Sequence, residues 1–319
     1  MAITINRSQT ETVSSGGIKG LMQRRPITSF FVLMFAGLWL GYLPLLLTSQ
    51  GFGVIPFTFP FPAQLWNIPA SLAGPLVAGL VMSWVVGGKQ GRHEFVKRLF
   101  RFRFGPQWYL VALAVAPVLG ILSVLVAMGV APFGIVMSQA AGSIVSYLIS
   151  AVLFAVLINL WEESGQIGFA LPILQRRHGA VLASLIIAPM WALMHMPALF
   201  VPEMGVGVSG PLTLEGIMLS LAVLTAFAIP VRLLATWLFN SVGQSVIVVA
   251  LFHAAMNAVQ GEITKLVPDY SPFYLLGGFA VAAFVLIAIT RGKLGYKAEQ
   301  EQATQPAPAM RPSVVTVVR

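Results

Sequence analysis

Two long stretches without a charged side chain constrain this chain more than any other feature. No Asp, Glu, Lys or Arg occurs from Pro26 to Gly88 or from Phe104 to Trp161. A helix needs about 20 residues to cross the hydrocarbon core of a bilayer, so each stretch can hold two or more crossings. Only 9% of all residues are charged, whereas soluble domains carry about a quarter. The sequence therefore predicts an all-α, polytopic membrane protein.

Apolar segments predict a bundle of about eight transmembrane helices. The first segment, Phe30 to Thr48, is too long for the apolar region of a signal peptide and lacks a small-residue cleavage site, so we expect it to be retained. Residues 50–67 are rich in Pro and aromatic residues and are expected to form an interfacial connector. The other predicted spans are residues 69–87, 107–128, 143–162, 180–200, 213–239, 244–260 and 272–290.

The distribution of Lys and Arg predicts how the bundle is oriented. If the spans alternate, 18 of the 19 Lys and Arg residues fall on one side, including Arg232 near the end of the sixth span, and only Lys265 falls on the other. Basic residues accumulate in cytoplasmic loops, so both termini are predicted to be cytoplasmic, in a multi-pass protein of the cell (inner) membrane. Topology and affinity for anionic lipid account for the net charge of +9, so no nucleic-acid partner is expected.

The predicted organisation has three parts. Residues 1–27 form a cytoplasmic N-terminal segment, residues 28–293 form the transmembrane domain, and residues 294–319 form a cytoplasmic tail. The composition of the tail is that of a linker, so we expect it to be disordered. The chain has no cysteine, which excludes disulfides, thiolate metal sites and a cysteine nucleophile.

Polar residues in three of the predicted spans are the candidates for function. An ionised side chain deep in a bilayer costs roughly 3 kcal/mol even on lenient scales, so such residues usually mark a functional or paired site. They come from the fourth, fifth and seventh spans, which suggests that the three helices meet around one polar centre. The candidates are Glu162, Glu163, His195, His253 and Asn257.

The segments that carry these residues resemble a known family. WEESGQIGFALPILQRRHG, APMWALMHMPALF and LFHAAMNA are similar to the motifs EExxxR, FxxxH and HxxxN or HxxxD of the CPBP family (CAAX proteases and bacteriocin-processing enzymes, also called Abi). The resemblance covers about residues 27–293. Its members are intramembrane glutamic endopeptidases, so it implies that this chain is a CAAX-type intramembrane endopeptidase.

Two positions depart from the family pattern. Ile167 stands where the motif has arginine, which removes the expected partner of the second glutamate. Trp191 stands where the motif has phenylalanine, which keeps an aromatic side chain one turn before His195. The first departure raises the question of whether the chain is catalytically competent.

The resemblance implies that Glu162 is the base and Glu163 a structural or tuning group. Adjacent helical residues point about 100° apart, so the two carboxylates cannot face one cavity in the same way. Our hypothesis is that Glu162 and His195 hold and deprotonate a water that attacks a peptide carbonyl, while His253 and Asn257 donate hydrogen bonds to the oxyanion. No cofactor is expected, and the substrate is expected to be a membrane-associated or lipidated peptide or protein.

Three alternatives stay open at this point. Two histidines and a glutamate are a catalytic zinc ligand set, so a zinc-dependent protease could use His253 as a ligand. A catalytically silent membrane scaffold or bacteriocin-immunity protein of the same fold would explain Ile167. A transporter with a protonatable site near the midplane is the third alternative.

Overall fold

The computed structural model describes residues 17–208 and 212–297. Those residues form a bundle of helices without a β-strand, which confirms the all-α prediction. Residues 298–319 of the predicted tail (294–319) and residues 1–16 of the predicted N-terminal segment (1–27) lie outside the described residues.

The bundle contains long α-helices joined by short helical turns. Single 3₁₀ turns lie at Ala63–Trp66, Met196–Phe200 and Pro202–Met204, and π-helical turns lie at Leu72–Leu76, Ala155–Asn159 and Gln166–Ala170. The α-helices of the described residues are α1 (Ile18–Arg24), α2 (Pro26–Leu47), α3 (Asn67–Ser71), α4 (Val77–Leu99), α5 (Pro106–Met128), α6 (Val130–Ser138), α7 (Ala140–Phe154), α8 (Leu160–Gly165), α9 (Leu171–Met194), α10 (Leu214–Ser241), α11 (Val246–Leu266) and α12 (Pro272–Thr290).

The described residues contain seven continuous helical stretches that are long and apolar enough to cross a membrane. One stretch, Ala140–Phe200, holds two predicted spans and reverses at Gly179, where φ is 78°. Gly88 breaks α4 in the same way, with φ of 60°, at the end of the second predicted span. Both positions use the left-handed region that glycine tolerates without a steric penalty. The seven stretches thus contain the eight predicted spans, and the chain is a multi-pass membrane protein.

Helix α11 lies at the centre of the bundle. It packs against α5 and α7 on one side and against α8 and α10 on others. Its buried residues include Val249 and Phe252, and it is the most enclosed of the candidate spans in the described part of the chain. Because neighbouring helices cover it, α11 can hold a polar side chain away from lipid.

One basic residue does not lie where the sequence predicts it. Arg232 was predicted among the surface charges at the end of the sixth span, and this prediction is wrong. Helix α10 continues to Ser241, so Arg232 lies roughly two and a half turns inside the helix. Its side chain is 1% exposed. Arg232 is therefore an intramembrane charge that needs a partner.

Candidate active site

The helix that carries the two glutamates is irregular on both sides of them. Glu162 and Glu163 lie in α8, between the π-helical turns Ala155–Asn159 and Gln166–Ala170. Each π turn holds an extra residue and so changes the direction in which the following side chains point, a device that is frequent at functional sites. Between these turns, α8 places Glu163 within hydrogen-bonding distance of polar residues from α10 and α11.

Glu163 is fully buried, and both of its carboxylate oxygens accept hydrogen bonds. Arg232 donates two of them, from Nη1 to Oε2 at 2.5 Å and from Nη2 to Oε1 at 2.7 Å. The Nδ1 atom of His253 lies 2.7 Å from Oε1 of the same carboxylate. A forked arginine–carboxylate pair is the strongest class of charge-assisted hydrogen bond, and here it is shielded from solvent on both sides. Glu163 therefore joins α8, α10 and α11.

Arg232 occupies the role that the motif assigns to an arginine at position 167. Ile167 is itself fully buried and belongs to the hydrophobic core. The expectation that the second glutamate lacks a cationic partner is therefore wrong, because the partner comes from α10. The signal in the sequence was an arginine with apolar residues on both sides, AFAIPVRLLATWLF, which surface placement does not explain.

Glu162 differs sharply from its neighbour. Its Oε2 atom accepts one hydrogen bond, from Nδ2 of Asn159 at 3.1 Å. The Nδ1 atom of His253 lies 3.9 Å from the same oxygen, too far for a hydrogen bond. Among the described residues, His253 is the only basic side chain within ion-pair distance of Glu162. Its carboxylate therefore keeps oxygen lone pairs that the protein does not use.

His195 is oriented by the backbone of its own helix. Its Nδ1 atom lies 2.9 Å from the carbonyl oxygen of Trp191. A carbonyl only accepts, so Nδ1 must carry the hydrogen, and Nε2 of the neutral ring then presents a lone pair. The His195 ring packs against the ring of Trp191, which also packs against the ring of His253.

Trp191 lies at the centre of this cluster. Its ring centroid is 4.3 Å from that of His195 and 5.7 Å from that of His253, and the Arg232 guanidinium lies 5.3 Å from it. Within the described part of the chain, its indole N–H is buried without an acceptor. The tryptophan at the family's phenylalanine position thus adds a polar atom as well as an aromatic face.

Asn257 is the one predicted site residue that the structure does not join to the cluster. It follows His253 by one turn of α11, as predicted, but its side chain is exposed. It forms no side-chain hydrogen bond with the other described residues. The structure therefore brings together Glu162, Glu163, His195 and His253 and leaves the Asn257 amide available.

The described residues contain no group of three His, Cys, Asp or Glu side chains that could hold a metal ion. Both oxygens of Glu163 are taken by Arg232. Glu163 is therefore not available as a metal ligand.

Comparison with known proteins gives two matches. Residues 143–259 match the family described as type II CAAX prenyl endopeptidase Rce1-like. The chain is also 27% identical over 222 residues to CAAX prenyl protease 2 of Methanococcus maripaludis, an alignment that covers 66% of this chain and 79% of that relative. The resemblance to the CPBP family is confirmed. The residues of all three CPBP motifs lie within the matched segment, and so does Arg232.

Proposed function

We propose that this chain is an intramembrane endopeptidase in which Glu162 is the general base. The observation that carries this proposal is the contrast between adjacent carboxylates. Arg232 contacts both oxygens of Glu163 and His253 contacts one of them, whereas Glu162 accepts a single bond from Asn159. A base must have a lone pair to offer, and of the two glutamates only Glu162 has oxygens to which no arginine is bonded.

The attacking water would lie between Glu162 and His195. A water bound there donates one hydrogen to the Glu162 carboxylate and the other to Nε2 of His195, whose lone pair is set by the bond from Nδ1 to the Trp191 carbonyl. Glu162 takes the first proton as the water oxygen attacks the substrate carbonyl carbon. It later delivers that proton to the leaving amine, so the carboxylate is regenerated.

The oxyanion would be stabilised from α11. The proposal assigns the imidazolium form to His253, in which both ring nitrogens carry N–H groups and the Nδ1–H donates to Glu163. Its Nε2–H is then available to the oxyanion, together with the amide of Asn257 one turn later. A donor of this kind typically lowers the barrier by about 3 kcal/mol. Glu163 and Arg232 hold the His253 ring in place but do not contact the reacting atoms.

The proposed substrate is a membrane-associated or lipidated peptide or protein, because the site lies among membrane-spanning helices. The name of the M. maripaludis relative specifies a prenyl protease, which is consistent with this class. We also propose that both termini face the cytoplasm of a cell (inner) membrane. The arrangement supports this, since cations from the end of α4 and the residues that follow it, from Arg176 and from Lys297 line one pocket at one end of the bundle.

The test compares peptide termini in membranes that contain the wild-type chain or Glu162→Gln at matched levels. The amide of glutamine cannot accept the proton, so termini produced by the wild-type chain are expected to disappear. Glu215→Gln serves as the control, because Glu215 is an exposed carboxylate in the first turn of α10, outside the site. Membranes that contain Glu215→Gln should show the same peptide termini as membranes that contain the wild-type chain.

Equal termini in all three samples, with folded and abundant protein, would overturn the proposal in favour of a silent scaffold or immunity protein. The feature that favoured that alternative was Ile167, and Arg232 now supplies the partner that position 167 lacks.

A further inference from the structure

Asn159 is a buried amide beside the glutamates to which the proposed mechanism gives no task. It is the last residue of the π-helical turn Ala155–Asn159 and lies three residues before Glu162, so the two side chains lie on one face of the helical run. Asn159 is 0% exposed. An asparagine in a membrane-spanning helix commonly bonds a neighbouring helix. The hydrogen bonds of Asn159 therefore show whether it serves packing or the site.

The amide of Asn159 uses only one of its two ends. Its Nδ2 atom donates to Oε2 of Glu162 at 3.1 Å, and this is its only side-chain hydrogen bond with the described residues. Its Oδ1 atom is buried and, within the described part of the chain, accepts from no donor. A buried acceptor without a donor lowers the stability of the fold. Asn159 thus pairs with the proposed base and, among the described residues, forms no side-chain hydrogen bond to another helix.

Asn240 shows the opposite pattern. Its Nδ2 atom donates to Oε1 of Gln175 at 3.2 Å and to the carbonyl oxygen of Leu294 at 3.0 Å. Its Oδ1 atom accepts from Nε2 of Gln175 at 3.2 Å. These bonds join α9, α10 and the residues that follow α12. Asn240 therefore has the bonding expected of an amide that serves packing, and Asn159 does not.

The bond from Asn159 fixes the orientation of the Glu162 carboxylate. The last torsion of a glutamate side chain is only weakly restricted, so a carboxylate needs a partner to hold one orientation. Asn159 donates to Oε2, and Nδ1 of His253 lies 3.9 Å from the same oxygen. The other oxygen, Oε1, forms no hydrogen bond with the described residues. Oε1 is therefore the oxygen that remains available to a water.

We propose that Asn159 is a positioning residue that makes Oε1 of Glu162 the proton-accepting atom, an inference that rests on the proposed role of Glu162 as base. Oε1 takes a proton from the water as the water oxygen attacks the substrate carbonyl carbon. Oε2 is then the carbonyl oxygen of a neutral carboxyl group and still accepts from Nδ2. When the C–N bond breaks, Oε1 returns the proton to the leaving nitrogen. The bond from Asn159 is thus kept in both protonation states of Glu162.

This role predicts a loss of turnover without a loss of stability. Leucine has nearly the shape of asparagine but no polar atom, so Asn159→Leu removes the unpaired Oδ1 acceptor together with the bond to Glu162. These two changes offset each other, and the melting temperature should stay close to that of wild type. The kcat should fall about 10- to 10²-fold, because the base is no longer held in the productive orientation. The KM should not change, since Asn159 does not contact the substrate.

The test measures kcat, KM and the melting temperature of purified full-length wild type, Asn159→Leu and Asn240→Leu in one detergent. The substrate is a peptide that spans a cleavage site found from the termini that disappear with Glu162→Gln. Asn240→Leu is the matched control, because it makes the same replacement at an amide outside the site and removes three hydrogen bonds. Its melting temperature should fall, and its kcat should equal that of wild type.

A wild-type kcat in Asn159→Leu, or an equal fall of kcat in both leucine variants, would overturn the proposal. A rise of KM at unchanged kcat would also overturn it, because it would make Asn159 a substrate contact. If Asn159→Leu folds poorly, Asn159→Ala takes its place, and kcat per folded molecule should fall by the same factor.

The outcome with Glu162→Gln separates this inference from the proposed function. Retained cleavage in Glu162→Gln would overturn the proposed function, and the role of Asn159 with it. Loss of cleavage in Glu162→Gln together with a wild-type kcat in Asn159→Leu would overturn only the role of Asn159.

Discussion

Glu162 and Glu163 are adjacent in the chain, but their surroundings differ sharply. Around Glu163, a guanidinium and an imidazole from two other helices form three hydrogen bonds with the carboxylate. Around Glu162, one amide donates and the nearest imidazole nitrogen is 3.9 Å away. The comparison teaches that two adjacent glutamates can have different surroundings and so serve different tasks. Glu163 connects three helices, and the proposed mechanism assigns the chemistry to Glu162, whose oxygens accept only one hydrogen bond.

Neutralising each glutamate in turn tests this division most directly and gives the largest expected effects. Glu162→Gln should lower turnover by about 10²- to 10⁴-fold, the usual contribution of a general base, with an unchanged melting temperature. Glu163→Gln should instead destabilise the protein by about 3–5 kcal/mol, because it leaves the Arg232 charge buried and unpaired. Turnover of a cleaved peptide and thermal unfolding in detergent measure the two effects. Equal destabilisation by both variants would contradict the division.

Removing the arginine tests the same ion pair from its other side. Arg232→Met should destabilise the protein by about 3 kcal/mol or more, because Glu163 then becomes the unpaired buried charge. Adding Ile167→Arg places a guanidinium one turn after Glu163, where the family motif has it, and should recover part of the lost stability. Arg232→Lys is the control, since it keeps the charge but loses the forked geometry. A melting temperature of Arg232→Met equal to that of wild type would show that the pair does not hold the helices.

Asn257 tests whether the exposed face of α11 takes part in the reaction. Asn257→Ala should lower turnover by about 10²- to 10³-fold through the loss of an oxyanion donor. Stability should change little, because the side chain is exposed and makes no hydrogen bond with the described residues. Thr264→Ala, nearly two turns further along the same exposed face, is the matched control and should leave turnover unchanged. Similar losses in both variants would point to disturbance of α11 as a whole.

The smallest expected effect is that of chelation. The mechanism in which Glu162 and His195 activate water needs no metal, so turnover in excess chelator should equal that in its absence. Loss of turnover that zinc restores would contradict it and favour the zinc-dependent alternative.

Much of this architecture could be predicted from hydropathy and short motifs. The eight apolar segments are helical; the break at Gly88 falls where the second predicted span ends, and the break at Gly179 falls just before the fifth predicted span begins. The convergence of Glu163 and His253 from separate helices also followed from their common depth in the membrane. Long apolar periodic segments carry this information because burial in lipid dominates the energetics of each span.

The details of the site could not be predicted in the same way. Arg232 was counted with the loop cations because it lies near the end of the predicted span 213–239, whereas its side chain is buried in the bundle against Glu163. The π-helical turns beside α8 leave no mark on a hydropathy pattern, since five residues are too few to distinguish 3.6 residues per turn from a wider turn. Which side chains pair across helices depends on the direction in which each side chain points. The partner of Glu163 could therefore be identified only from the three-dimensional structure.

The distance in sequence between Glu163 and Arg232 has a consequence for how the chain enters the bilayer. The two residues are 69 positions apart, so the ribosome delivers the glutamate helix well before α10. An arginine at the centre of a spanning helix opposes insertion by roughly 3 kcal/mol on its own. The charges of Glu163 and Arg232 can pair only after both helices have left the translocon. Stable integration of α8 is therefore expected only after α10 has been synthesised.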